Sequence, residues 1–152
     1  MGIDLTLLKR LRNETQVSIA DCRRALDESN GDYRQALVWL KKHGIEKAGK
    51  KADRATSEGL VESYIHQNGK IGAIAVVLCE TDFVARTSEF KSLAHEIAMQ
   101  VASMNPKDVD SLLKQDYIRD SSKTIESLVK ETIAKLGENI VVKKIQRFGI
   151  GE

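Results

Sequence analysis

Few residues in this chain are arranged for bond-making chemistry. His95-Glu96 opens like an HExxH zinc helix, but Met99 stands where the second histidine is required. His43 and His66 lie in other segments, far from His95 along the chain. Cys22 and Cys79 form no CxxC pair and sit in apolar patterns, so they read as buried free thiols. No GxxxxGKS/T or GxGxxG loop is present to cradle phosphates, and no GxSxG turn presents a nucleophile. The sequence therefore predicts no catalytic residue, no metal and no cofactor, and a binding protein is the default over an enzyme.

One stretch is unusual. Glu80-Thr81-Asp82-Phe83-Val84-Ala85-Arg86 follows an apolar run and sets a large aromatic beside a carboxylate. Thr81 is suited to N-cap a short turn. In a helical turn, Asp82 and Phe83 project about 100° apart. Two roles fit Phe83. It packs under the following helix while Asp82 caps that helix, or it points outward as a wedge at the end of a sheet. Residue types alone favour the packing role.

The elements that must position this stretch follow from periodicity. Ile3, Leu7, Leu8 and Leu11 share helical spacing. Ser18, with Asp21 three residues on, starts a second helix whose apolar stripe is Ile19, Cys22 and Leu26. Asn30-Gly31 ends it, and Asp32 caps a third helix with Tyr33, Ala36, Leu37 and Leu40 inward. Gly44 is expected to end that helix, and Trp39 to pack at the bundle edge. Residues 45–57 read as a solvated connector helix with a basic side of Lys47, Lys50, Lys51 and Arg54.

From Gly59 the period changes to that of a strand. Asn68-Gly69 signals a hairpin. The run from Ile71 to Leu78 predicts a central strand buried on both faces or nearly so, with Gly72 and Ala73 leaving room for a neighbouring backbone or helix. Phe90, Leu93, Ala94, Ile97, Ala98, Val101 and Met104 mark one long helix, broken by Pro106. Residues 106–120 are polar and give no clear element. Ile125, Leu128, Val129, Thr132, Ile133 and Leu136 mark another helix, closed by Gly137, and a last strand runs from Ile140 toward Phe148. The fold class is α+β: a three-helix module at 1–45, a basic linker at 46–57, and an antiparallel-sheet core at 58–152 with helices on one face.

Composition agrees with a soluble globular protein. The chain has 152 residues, 41% hydrophobic and 30% charged. No apolar run approaches the roughly 20 residues that span a bilayer, and residues 1–12 lack a signal-peptide layout. A cytoplasmic protein with no membrane role is expected. Residues 1–57 carry 12 Lys and Arg against 8 Asp and Glu, while the net charge of the whole is +2. A basic front on a weakly acidic body is poor evidence for nucleic-acid binding, but it can steer the protein toward an acidic partner.

Several motifs in order resemble the elongation factor Ts family. Thr81-Asp82-Phe83-Val84 is similar to its signature. The opening LKRLRNET and ADCRRALDESNGD resemble its helical module of the ubiquitin-associated (UBA) type. KAGKKA at 47–52 resembles its connector, and Gly137-Glu138-Asn139-Ile140 resembles its motif before the last core strand. The resemblance covers nearly the whole chain. It implies a guanine-nucleotide exchange factor that binds elongation factor Tu with GDP and promotes GDP release. By position, Asp82 and Phe83, flanked by Thr81 and Val84, would enter the GTPase near its nucleotide site. The turn Val17-Ser18-Ile19-Ala20 would contact the same domain. Many relatives carry a duplicated core and a coiled-coil insertion. This chain has one such unit, which implies a homodimer that restores the pair. Two rivals stand beside this reading: a ubiquitin-like or nascent-chain binding module, and a small enzyme.

Overall fold

The computed structural model describes residues 2–152. Three helices open the chain, each started by a side chain that takes up a free backbone N–H. Helix α1 (Leu5–Thr15) begins at Asp4, whose carboxylate accepts from the Thr6 amide at 2.8 Å. Helix α2 (Ile19–Glu28) begins at Ser18, whose hydroxyl accepts from the Asp21 amide at 3.1 Å. The Asp21 carboxylate in turn accepts from the Ser18 hydroxyl at 2.8 Å, rather than from the Ser18 amide of a full capping box. Asn30 and Gly31 take positive φ and reverse the chain. Asp32 then caps α3 (Tyr33–Lys50). Leu11, Cys22, Ala25, Leu26, Ala36 and Leu40 form the bundle's core.

Two expectations fail here. Ile19 is exposed rather than part of the inner stripe, because it occupies the first turn of α2 at the rim of the bundle. Gly44 does not end α3, which continues to Lys50. A Cβ at Gly44 would lie 3.0 Å from the Cβ of Ala134, so this glycine is a close-approach residue between two helices.

Strand β1 (Glu58–Ile65) and strand β2 (Ile71–Cys79) form an antiparallel hairpin. Its connection is longer than a two-residue turn. The His66 carbonyl accepts from Gly69, Gly69 takes φ +71°, and the Asn68 side chain accepts from the Lys70 amide. A one-turn helix, α4 (Asp82–Ala85), follows at once. Helix α5 (Ser88–Met104) carries the longest buried stripe, with Phe90, Leu93, Ala94, Ile97, Ala98 and Val101 inward and Met104 exposed at its end.

The polar stretch without a sequence assignment holds α6 (Val109–Lys114) and a small hairpin of β3 (Asp116–Tyr117) with β4 (Asp120–Thr124). Buried Gln100 organises it. Its amide nitrogen donates to the Asp116 carbonyl at 3.0 Å, and its oxygen accepts from the Ile118 amide at 3.1 Å. Helix α7 (Ile125–Leu136) ends at Gly137, which takes φ +76°. Strand β5 (Ile140–Gly149) pairs antiparallel with β2 and gives the sheet order β1-β2-β5. The fold is α+β, as the periodicity predicts.

Helices cover one face of that sheet. Ala73, Ala75, Val77 and Cys79 of β2 are buried there with Phe90, Leu93 and Ile97 of α5. The other face is open. Register sets Val61 beside Val76, Ile65 beside Gly72, Leu78 beside Val141, and Gly72 beside Phe148. Val61 is 71% exposed, Phe148 60% and Ile74 40%. The central strand is thus buried on one face only within a single chain, which corrects the expectation of two. Gly72 makes room for the Ile65 side chain, since a Cβ there would lie 2.7 Å from the Ile65 Cδ1. The neighbour expected at Gly72, a backbone or a helix, is a cross-strand side chain.

Candidate functional site

Strand β2 ends at Cys79, and its last buried side chain fixes the start of the unusual turn. The Cys79 thiol donates to the Thr81 carbonyl at 3.1 Å. Burial pushes this thiol up from its ordinary pKa, and the nearby Glu138 carboxylate adds to the effect. Thr81 is extended, and its hydroxyl accepts from the Val84 amide, so it caps α4 as the sequence suggests. Ala85 is buried beneath the turn and Val84 packs on the core.

Phe83 points the other way. It is 77% exposed. The packing role open to it on sequence grounds does not occur. Asp82 does not cap the long helix either, because Thr87 does so by accepting from the Phe90 amide at 3.2 Å. The Asp82 carboxylate instead accepts from Arg86 at 2.6 Å along the outer side of the turn. The turn therefore presents an aromatic ring and a half-exposed acid together, on a base of buried small residues.

Glu138 and Asn139, outside this turn, hold it together with Glu80 at its start, and sequence reasoning selected none of the three as site residues. The Glu138 carboxylate accepts from the Glu80 amide at 3.2 Å, the Thr81 amide at 3.0 Å and the Thr81 hydroxyl at 2.7 Å. The Glu80 carboxylate accepts from the Asn139 amide at 2.8 Å. The Asn139 side chain is buried and donates to the carbonyls of Ala52 and Arg54. A carboxylate and an amide directly after the helix-ending Gly137 are the signal that was available. Their partners lie more than 50 residues away, beyond any local pattern.

The second predicted contact, Val17-Ser18-Ile19-Ala20, joins α1 to α2. Val17 packs on the bundle core, while Ser18, Ile19 and Ala20 are exposed. It shares no hydrogen bond or ion pair with the 81–84 turn among the described residues. Asp21 just behind it accepts from Lys47 of α3 at 2.8 Å. Burial raises the Asp21 pKa, but the hydrogen bonds from Lys47 and Ser18 outweigh it and hold this carboxyl below its ordinary value. The residues of the incomplete zinc pattern have other partners. His95 is exposed and stands edge-on to Tyr64, and Glu96 accepts from the Tyr117 hydroxyl and from Arg119, each at 2.7 Å.

Residues 80–152, from the turn to the end of the chain, match the family model described as Elongation factor TS. The elongation factor Ts of Coprothermobacter proteolyticus is 41% identical over 197 aligned positions that cover all of both chains. The chain belongs to the elongation factor Ts family. Membership brings a role in translation elongation. The elongation factor Ts of Thermosynechococcus vestitus is 42% identical over 99% of this chain, which spans 66% of that relative. The Nostoc elongation factor Ts is 46% identical over 97% of this chain, which spans 47% of it. The family thus includes chains about twice as long. It also includes the Coprothermobacter chain, whose 197 aligned positions against 152 residues leave about 45 with no counterpart here.

Among the described residues, no helix is long and apolar enough to cross a membrane.

Proposed function

We propose that this elongation factor Ts family member is a nucleotide exchange factor for elongation factor Tu, acting in the cytoplasm by binding rather than by bond chemistry. The observation that carries the reading is Phe83, an aromatic left 77% exposed on a turn that is otherwise capped, paired and anchored. A free phenylalanine on a rigid base is costly to leave in water and suited to fill a pocket in a partner. Asp82 beside it carries negative charge. Near a Mg²⁺-phosphate site it repels the nucleotide-bound state selectively. Thr81 and Val84 frame this wedge, and Val17, Ser18, Ile19 and Ala20 of the opening module form a second contact with the same GTPase. In this reading, 1–45 is the UBA-like module, 46–57 the linker, and 58–152 the GTPase-binding and dimerisation core.

An exchange factor must bind the nucleotide-free GTPase more tightly than the GDP form. By linkage, GDP weakens its binding by the same factor that it weakens GDP. Titration of this protein against nucleotide-free and GDP-loaded elongation factor Tu tests this directly. The expected result is at least tenfold tighter binding to the empty form. Equal affinities would remove the exchange mechanism.

Two copies are proposed to pair through the open face of the sheet. Val61, Ile65, Ile74, Val141 and Phe148 are exposed apolar side chains on that face, interleaved with Ser63, Lys144 and Gln146, and isologous interfaces cover such mixed surfaces.

A further inference from the structure

Glu138 holds three donors of one surface turn. The amides of Glu80 and Thr81 have left the sheet, and without an acceptor they are orphan donors at its end. Glu138 takes up both and also the Thr81 hydroxyl, which sets the rotamer of the residue that caps α4. The bracket is reciprocal, because the Glu80 carboxylate accepts from the Asn139 amide at 2.8 Å. Asn139 is itself fixed to the Ala52 and Arg54 carbonyls, and Arg54 lies 3.6 Å from the Glu80 carboxylate. The hydrogen bonds of the Glu138 carboxylate all go to Glu80 and Thr81, the residues that begin the turn.

We propose that Glu138 is a positioning residue for exchange: it fixes the direction in which Phe83 leaves the surface, through Thr81 and the first turn of α4. The proposal rests on the exchange reading above. Phe83 is 77% exposed, so little packing sets its direction and the backbone under it must do so. Preorganisation of an anchor lowers the ordering cost of binding. Loss of the Glu138 carboxylate leaves Phe83 present but mobile.

The test has two arms. In the first, the three phenylalanines (Phe83, Phe90 and Phe148) carry a para-fluorine, and ¹⁹F spectra are compared between wild type, Glu138→Ala and Glu138→Gln. No GTPase is needed. The Phe83 resonance is expected to shift or broaden in Glu138→Ala, while buried Phe90 stays in place and reports an intact core. Glu138→Gln keeps an oxygen for the two amides and is expected to restore the wild-type signal. An unchanged Phe83 resonance in Glu138→Ala would overturn the proposal.

The second arm is a double-mutant cycle of Glu138→Ala with Phe83→Ala, read as stimulated GDP release from elongation factor Tu. Glu138→Ala is expected to slow release about tenfold alone and less than twofold in the Phe83→Ala background, since coupled residues are not additive. Glu138→Gln should stay within about twofold of wild type. Equal losses in both backgrounds would assign Glu138 a role independent of Phe83 and overturn the proposal. Wild type that does not accelerate release would sink the exchange reading instead, and the ¹⁹F arm then decides the positioning role alone.

Discussion

Removing the Phe83 ring takes little from the fold, because an exposed side chain contributes few core contacts. Phe83→Ala is expected to keep stability within about 0.5 kcal/mol of wild type. The same change is expected to lose at least about 2 kcal/mol of binding to nucleotide-free elongation factor Tu, the scale of an anchor residue. Thermal unfolding and titration check the two halves separately. A large loss of stability would return Phe83 to the core role. Asp82 makes only a surface pair with Arg86, which contributes about 0–1 kcal/mol. Thr81, Asp82 and Phe83 could be singled out from sequence because a cap, an acid and an aromatic sit side by side. The direction of Phe83 could not, since it depends on Ala85 below it and on Glu138, 57 residues from Thr81. Periodicity reads neighbours, and this bracket joins distant segments.

At the scale of elements, α3 is the part that ties the opening module to the core. Gly44 lets it lie against α7, and Ala48 is buried in the core beyond. Gly44→Leu is expected to force the two helices apart and to cost about 1–3 kcal/mol in denaturant unfolding. An unchanged midpoint would mean that the contact yields freely. Glycine at position 44 reads as a helix terminator in the sequence, and only the partner helix shows the close approach. Asn30-Gly31 and Gly137 have no such competitor, and their turns are where the sequence puts them. The 116–124 hairpin escaped sequence reading because its strands are polar and short, and its organiser is the buried Gln100 of α5.

The Asp21–Lys47 contact joins α2 to α3 and makes this module acid-sensitive. Asp21 has a folded pKa below its ordinary value, so its contribution is complete above the ordinary carboxylate range. It fades as pH falls below that range through the depressed folded value. Lys47→Met is expected to remove up to about 1 kcal/mol at neutral pH. It should also flatten the loss of stability on acidification, as followed by urea unfolding across the acid range. An identical pH slope in wild type and variant would contradict this assignment.

For the whole molecule, the open sheet face is where a second copy is proposed to pack. Helices on one side were readable from the two long apolar stripes. The bareness of the other side was not, because the run 71–78 is apolar at nearly every position and hides which face is covered. A homodimer through Val61, Ile74 and Phe148 predicts the mass of two chains in sedimentation equilibrium. Ile74→Lys should give a folded monomer, since a second copy packed on this face would bury the added charge without a partner. A wild-type monomer at micromolar concentration would contradict the paired form while leaving the Phe83 site untouched.

If Phe83 drives nucleotide release, its removal must show in the rate at which GDP leaves. Fluorescent GDP is loaded on elongation factor Tu, and its release is followed after mixing with wild-type protein or with Phe83→Ala. Rapid release is expected with wild type, and a rate at least about 30-fold slower with Phe83→Ala. Equal acceleration by both would contradict the wedge, and no acceleration by folded wild type would contradict exchange itself.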